Sequence, residues 1–210
     1  MYHNYKHLAH SCRPLTIARD DQPQWGKIGG YSPQGVEPPV ITESTRYFAT
    51  LKTGDAEQTE LSLFISMDYE LTSPNNLWKN QSMMHSKARP LVQFVFHKPL
   101  PRGENPRLAS ELSGLGLIIE EERADSDDPE KNIIWNHHKI GGYPFFARSR
   151  NSIFEQSKAL LQDGYWQLAQ FSFPDAQDGP VSGRWPFTAF VFHVFTKDAS
   201  GQIDFRYCWG

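Results

Sequence analysis

The chain has 210 residues, 39% of them hydrophobic and 13% aromatic, and it carries a formal net charge of −3 with a pI near 6.2. That length is enough to bury a continuous core without disulfides, and the aromatic content favours β-sheet. The weakly acidic balance argues against the basic surface that direct nucleic-acid binding requires. No stretch is apolar enough to span a membrane or to serve as a signal peptide, so we expect a cytoplasmic protein.

The first half of the chain predicts a polar arm followed by β-strands. Residues 1–24 are polar and rich in histidine, which predicts an N-terminal arm outside the folded domain. The Gly- and Pro-rich stretch 26–39 is typical of a loop with fixed turns. Apolar and aromatic runs then predict strands at 46–52, 60–66 and 91–97, with a hairpin joining the first two.

A helix and another strand complete this half. Asn105 suits a helix N-cap, Pro106 suits the first helical position, and Gly114 suits the residue that ends a helix. Residues 105–114 therefore predict a short helix. Residues 115–119 predict a strand after it.

The second half predicts a helix and three strands. Ser152 and Glu155 form a capping-box pattern, which predicts a helix that Gly164 closes. Strands follow at 165–173, 187–196 and 203–209. The middle strand is apolar on both of its faces, so we expect it to be central in its sheet.

Between the halves lies an acidic segment, residues 120–130, with seven acids and one arginine. Its local net charge of −6 leaves +3 for the rest of the chain. The ordinary interpretation is a solvated connection whose acids keep ordinary pKa values and cannot form a tuned catalytic pair. The functional interpretation is a surface that steers a basic partner. The candidate partner-binding residues are Glu120, Glu121, Glu122, Asp125, Asp127, Asp128 and Glu130.

The reactive side chains form no recognised catalytic or metal-binding pattern. Cys12 and Cys208 lie near opposite ends of the chain and predict two free thiols. The histidines of the N-terminal arm lack the Cys or carboxylate companions of a metal site. His193 could be a base, but in an apolar strand a hydrogen-bonded core histidine is commoner. The sequence therefore predicts no catalytic residue, no metal and no cofactor.

The pentapeptide Lys-Ile-Gly-Gly-Tyr occurs twice, at residues 27–31 and 139–143. It is either a ligand loop used twice or a structural turn inherited by duplication. No phosphate-loop pattern surrounds it, and a glycine pair between apolar and aromatic residues favours a turn with positive φ or close backbone approach. The similar phrases LVQFVF at 91–96 and LAQFSF at 168–173 also favour duplication.

The residues around both pentapeptides resemble a known family. The stretches 27–39, 138–144 and 201–209 are similar to the YwqG-like family, a bacterial family of unknown biochemical function, and the resemblance covers roughly residues 25–210. It implies a duplicated, strongly antiparallel α+β fold. Because members are often encoded beside secreted toxins, it also implies a role as an immunity protein. It supplies no catalytic residues.

Together these observations predict an α+β fold, internally duplicated, with predominantly antiparallel β-sheet halves and a few short helices. We expect a single domain over residues 25–210, made of two related halves at about 25–119 and 131–210. The acidic loop 120–130 joins the halves.

Two functional hypotheses follow. The first is a cytoplasmic immunity protein, not an enzyme, that binds and neutralises a cognate toxin domain stoichiometrically. Such a toxin could be a basic effector that acts on nucleic acid. The alternative is an enzyme or small-ligand-binding protein with a pocket between the two halves. Trp25, Trp166, Trp185 and Trp209 could line that pocket, although the core is the commoner place for them.

Overall fold

A computed structural model describes the chain over residues 8, 10–18, 24–53, 59–67, 91–126, 138–144, 152–172, 191–199 and 202–209. Within these residues there are eleven strands and one helix. In chain order they are β1 (Ser11–Ile17), β2 (Gly26–Ile28), β3 (Thr45–Lys52), β4 (Glu60–Ser66), β5 (Val92–His97), β6 (Leu115–Ile119), β7 (Arg123–Ala124), β8 (His138–Gly141), α1 (Ser152–Gln162), β9 (Trp166–Phe171), β10 (Phe192–Ala199) and β11 (Gln202–Trp209).

The predicted α+β class is wrong, because the described chain is almost all β. The strands at 46–52, 60–66, 91–97 and 115–119 are found within one residue of their predicted bounds. The helix predicted at 105–114 is absent, since these described residues form turns and irregular structure.

The same residues that predict that helix close a turn instead. The Asn105 side chain accepts a hydrogen bond from the backbone N–H of Arg107 at 3.1 Å, as in an Asx turn. Two isolated turn bonds follow, from Leu108 N to Asn105 O and from Ala109 N to Pro106 O, each at 3.3 Å. The segment buries Leu108 and Leu112 from these turns without forming a helix. A helix of this length is marginal by itself, so turn bonds and burial of the two leucines decide the conformation.

The chain divides into two compact units. Unit 1 consists of the described residues of 1–17, 118–180 and 187–210, and unit 2 of the described residues of 18–117. The boundary falls inside β6. The structure differs from the prediction in the first 24 residues, because the expected N-terminal arm contains β1, a strand of unit 1.

Each unit contains the same order of antiparallel strands. In unit 2 the order is β6-β2-β3-β4-β5, and in unit 1 it is β1-β8-β9-β10-β11, with β7 also paired to β1. In each unit, the strand that contains Lys-Ile of the pentapeptide, β2 or β8, begins a meander. A further strand, which we call the flanking strand, pairs with its other side: β6 pairs with β2, and β1 pairs with β8. The flanking strands are exchanged, since β1 comes just before β2 in the chain but pairs with β8. The two units therefore agree in strand order as well as in the pentapeptide.

The two meanders also agree in register. Ile28 pairs with Ala49 in unit 2, as Ile140 pairs with Ala169 in unit 1. The strand that contains each alanine pairs next with β4 or with β10. In both of these pairs the register shifts at the residue before the alanine. A bulge at the same position of both units is typical of a conserved feature of one ancestral sheet.

The similar phrases at 91–96 and 168–173 do not occupy equivalent positions. Residues 92–96 of the first lie in β5, the fourth strand of its meander, and residues 168–171 of the second lie in β9, the second strand of its meander. The evidence for a duplication is therefore the repeated pentapeptide and the shared strand order, and not these phrases.

The strand predicted at 187–196 corresponds to β10, Phe192–Ala199, and residues 187–190 lie outside the described residues. As predicted, this strand is interior, between β9 and β11.

The cores of the units consist of aromatic and aliphatic side chains from these strands. In unit 2, Tyr47 and Phe64 pack with Val36 and Leu108. In unit 1, Phe171 and Phe192 stack with ring centroids 6.2 Å apart. A separate cluster joins Phe195 and Cys208 to Leu160 of α1. The helix begins at Ser152 and ends before Gly164 at φ 84°, as predicted.

The glycines of both pentapeptides have left-handed backbone conformations. Their φ angles are 72° at Gly29 and Gly30 and 73° and 74° at Gly141 and Gly142. A Cβ on Gly29 would lie 2.4 Å from the carbonyl oxygen of Ser113. The predicted structural turn, with positive φ and close backbone approach, is confirmed.

Replacing Gly29 by alanine is expected to lower the free energy of unfolding by about 3 kcal/mol or more, because left-handed strain adds to the clash with Ser113. Gly35→Ala is the matched control, since Gly35 has φ 73° and nothing within 4 Å of a Cβ. It should cost about 1–2 kcal/mol. Urea unfolding of both variants measures the difference, and equal losses would contradict the close packing of this turn.

Candidate functional site

The acidic segment lies beside β1 and is fixed to it by backbone hydrogen bonds. The N–H of Glu120 donates to Pro14 O at 2.9 Å, and Arg13 Nε donates to Glu120 O at 2.8 Å. At the other end, the N–H of Asp125 donates to His10 O at 3.3 Å. Between these points β7 pairs with the start of β1. The described part of the segment therefore has one defined path in unit 1.

The described acids of this segment have different surroundings. Glu120 is partly buried, and its carboxylate lies 2.9 Å from Arg123 Nη2. Glu121 is exposed, and Glu122 is exposed while accepting a hydrogen bond from the Ser11 hydroxyl. Three predicted partner-binding acids lie outside the described residues: Asp127, Asp128 and Glu130. The exposed negative charge that the structure describes is therefore at Glu121 and Glu122.

Asp125 contradicts the expectation that solvent surrounds every acid of the segment. Its side chain is 1% exposed and its Oδ2 lies 2.8 Å from Nζ of Lys139, whose side chain is 0% exposed. The same oxygen accepts the backbone N–H of Tyr143 at 2.7 Å, and Oδ1 accepts that of Ser126 at 3.0 Å. The Asp125 side chain is thus an internal anchor, and its carboxylate is not available to a partner.

A buried ion pair stabilises a fold only when its partners are well placed. Removing a carboxylate and an ammonium group from water costs several kcal/mol for each ion. The attraction between Asp125 and Lys139 offsets this cost because two backbone N–H groups also bind the carboxylate. Loss of one partner would leave the other charge buried without compensation.

The second pentapeptide shapes the space that this carboxylate occupies. A Cβ on Gly142 would lie 2.0 Å from Asp125 Oδ2, so only glycine permits the approach. The Gly142 N–H donates to Leu8 O at 2.7 Å, and the next N–H, that of Tyr143, is directed at the carboxylate. A backbone N–H aimed into a turn in this way contributes to an anion-binding concavity. We call Lys139, Gly142 and the backbone N–H of Tyr143 the carboxylate cradle. In unit 1 the turn thus holds a carboxylate from the same chain, that of Asp125.

Cys12 lies against the same turn and is not activated. It is buried, and a Cβ on Gly142 would lie 2.9 Å from its Cβ. Burial, and next the negative charge of Asp125, raise the pKa of the Cys12 thiol to about 11. Burial also raises the pKa of Cys208. Both cysteines are free thiols, as predicted, and both stay protonated near neutral pH.

The described histidines have structural partners. His10 shares a hydrogen bond with the Tyr143 hydroxyl, and His138 is buried. His193 is also buried, with Nδ1 3.0 Å from Gln167 Oε1, so the prediction of a hydrogen-bonded core histidine is confirmed. Within the described ranges, no three His, Cys, Asp or Glu side chains are grouped closely enough to hold a metal ion. The remaining described histidine, His97, belongs to unit 2.

A chain of hydroxyl groups crosses the strands of unit 2. The Tyr47 hydroxyl donates to Thr50 Oγ1 at 2.8 Å, and Thr50 Oγ1 lies 2.7 Å from Ser62 Oγ. Ser62 Oγ is in turn 2.8 Å from His97 Nε2. These bonds satisfy polar groups of three neighbouring strands that would otherwise be buried at a cost.

Ser62 and His97, at the end of this series of hydrogen bonds, resemble a nucleophile with its base, but their geometry is that of a structural network. His97 Nδ1 lies 2.7 Å from Lys98 O, a closer partner than the Glu60 carboxylate at 3.8 Å. Since a carbonyl only accepts, Nδ1 donates to Lys98 O, and Nε2 shares a hydrogen bond with the Ser62 hydroxyl. Ser62 is 0% exposed, so its oxygen cannot reach a substrate. No signal in the sequence connects these residues.

Two of the four tryptophans predicted to line a pocket between the halves have side chains within the described residues. Trp25 is half-buried, and its backbone N–H donates to Leu117 O at 2.7 Å. Trp166 is half-buried at the start of β9. Trp185 and the side chain of Trp209 lie outside the described residues. That hypothesis stays a prediction.

The chain matches no protein-family model, no curated protein and no solved structure. The resemblance to the YwqG-like family, and the immunity role that it implies, therefore stay predictions. Among the described residues, no helix has the length and apolar character needed to cross a membrane.

Asp125→Asn is expected to lower the free energy of unfolding by about 3–5 kcal/mol, because the Lys139 charge stays buried without its counterion. Glu121→Gln removes an exposed acid of the same segment and should change stability by no more than about 0.5 kcal/mol. Denaturant unfolding of both variants gives the comparison. A loss below about 1 kcal/mol for Asp125→Asn would contradict the anchoring role of the pair.

The raised pKa of Cys12 predicts slow thiol labelling in the folded protein. Near pH 8, an aromatic disulfide reagent should modify Cys12 at least about a hundredfold more slowly than in the urea-unfolded chain, since the thiol pKa rises from 9.0 to about 11. The stability linked to this thiol is complete below pH 9.0 and is lost as the pH rises toward 11. Rapid labelling of folded protein would contradict the burial of Cys12.

Proposed function

We propose that this protein is an immunity protein, which binds a cognate antibacterial toxin stoichiometrically in the cytoplasm of the cell that makes it. The observation that carries the proposal is the fixed path of the acidic segment along β1. Glu121 and Glu122 are exposed on a stretch whose ends are held by hydrogen bonds to Pro14 and His10. Charges in a fixed arrangement lose little conformational entropy on binding, which favours association.

The anchor of the segment supports the same proposal. Asp125 is held by Lys139 and by the Tyr143 N–H, so the chain that leads to the exposed acids cannot rearrange at low cost. An ordinary solvated connection has no need of a buried ion pair. A fixed acidic surface accelerates encounter with a basic partner and defines the register in which the two dock.

The proposed partner is a toxin domain with a basic cleft, as in effectors that act on nucleic acid. Within residues 120–124, three glutamates and one arginine leave a net charge of −2. Arg123 lies 2.9 Å from Glu120, and the exposed acids of this stretch are Glu121 and Glu122. These two side chains would therefore contribute more to the rate of association than to the lifetime of the complex.

The test is capture of a partner from native lysate, with the full chain as bait at low and high salt. We expect one protein bound at equal stoichiometry, toxic when expressed alone and harmless when co-expressed with this chain. The double variant Glu121→Gln/Glu122→Gln should slow association about tenfold at low salt, and high salt should abolish the difference.

The matched control is Glu43→Gln/Glu111→Gln, which removes the same charge from exposed positions of unit 2. An equal effect of both double variants would assign the interaction to net charge and not to the acidic segment. A captured partner that is not toxic, or no partner at all, would contradict the immunity proposal. Screening for small ligands would then test the alternative of a pocket between the halves.

A further inference from the structure

The two pentapeptides have the same backbone but different neighbours. In unit 1, Asp125 Oδ2 accepts hydrogen bonds from Lys139 Nζ at 2.8 Å and from Tyr143 N at 2.7 Å. The φ angles of the paired glycines in the two turns agree within 2°. The internal repeat therefore provides a template for what the unit 2 turn can hold.

The turn of unit 2 has the same donors without an internal carboxylate. Lys27 Nζ donates to Tyr31 O at 2.9 Å, which uses one of its three N–H bonds. In the described part of the chain, no residue accepts a hydrogen bond from Tyr31 N, and no carboxylate lies within ion-pair distance of Lys27 Nζ. Burial, and next the positive charge of the nearby Arg102, lower the pKa of Lys27.

Arg102 adds a second cation beside this turn. Its guanidinium carbon lies 5.4 Å from the centroid of the Tyr31 ring, a cation–π distance. A Cβ on Gly30 would lie 3.4 Å from Arg102 Nη2, so the guanidinium group is held against the turn itself. A planar guanidinium group matches the two oxygens of a carboxylate.

An open cleft borders the turn. Its volume is about 540 Å³, and its lining consists of Tyr31, Arg102, Gly103, Glu104 and Pro106. The cleft is within the size range of small-ligand sites. An aromatic ring and a proline form its apolar surface, and Arg102 and Glu104 carry its charges. A molecule with one carboxylate and a short apolar body fits this chemistry.

We propose that the turn of unit 2 is a second carboxylate cradle, in which the Tyr31 N–H and the Arg102 guanidinium group bind the carboxylate of a separate molecule. The Lys27 ammonium group, held at Tyr31 O and 5.2 Å from the Tyr47 ring centroid, adds positive charge beside the turn. Glu104 repels a second negative charge, which favours monocarboxylates over dicarboxylates. The carboxylate can belong to a small acid or to the C-terminus of a peptide, which backbone concavities of this kind also capture. This site is independent of the acidic segment in unit 1.

The experiment is an NMR titration of the ¹⁵N-labelled full chain with sodium acetate at constant ionic strength. The amide signals of Gly30 and Tyr31 should shift and saturate. The Tyr143 amide is an internal reference, since Asp125 already occupies its cradle, and should not respond. Acetamide, which has the same shape without the charge, should leave the Tyr31 signal unchanged.

Variants decide whether the shifts report the proposed site. Arg102→Gln should weaken acetate binding about tenfold, because a charge-assisted hydrogen bond is lost. Arg107→Gln is the matched control, an exposed arginine of unit 2 outside the cleft, and should bind acetate as the native chain does. Shifts that stay linear, or equal affinity in Arg102→Gln and Arg107→Gln, would overturn the proposal.

A second arm separates the two sources of the carboxylate. An acetylated tripeptide with a free C-terminus is compared with its C-terminal amide and with acetate. Tighter binding of the peptide acid than of acetate assigns the cleft to a chain terminus, and equal binding of both assigns it to a small monocarboxylic acid. Binding of the amide as tight as that of the acid would overturn the carboxylate cradle.

Discussion

The arrangement of unit 1 depends on one buried ion pair inside a glycine turn. The side chains of Asp125 and Lys139 are both withdrawn from water. This is stable only because the carboxylate also accepts the Tyr143 N–H of the turn and the N–H of Ser126. The turn needs Gly142 since any side chain would collide with Asp125. The path of the acidic segment, the buried Cys12 and the pairing of β7 with β1 all lie beside this contact.

The exchange of the flanking strands brings residues near the start of the chain to the turn of unit 1. The strand that begins the molecule, β1, completes the sheet of unit 1, and β6 pairs with β2 in unit 2. In both units a leucine carbonyl near the flanking strand accepts from the second glycine, Leu112 for Gly30 and Leu8 for Gly142. The repeated turn therefore serves as the point where each flanking strand is fixed. In one unit it also holds a carboxylate, and in the other we propose that it takes one from outside.

Local features of this fold could be predicted from the sequence, and long-range ones could not. The apolar runs of β3 and β4 and the capping pattern of α1 are local, and they appear where predicted. The exchange of β1 depends on pairing across more than a hundred residues, which no local pattern encodes. Among chemically equivalent acids, only Asp125 is buried within the described part of the segment, because its partner lies in a turn whose role becomes visible only after folding.

A double-mutant cycle on Asp125 and Lys139 tests the central claim most directly. The free energies of unfolding of Asp125→Asn, Lys139→Met and the double variant give the coupling between the two side chains. Our account predicts a coupling of about 2 kcal/mol or more, with the double variant more stable than the sum of the single losses implies. Additivity within about 0.5 kcal/mol would show that the pair does not hold the segment, and the account would be contradicted.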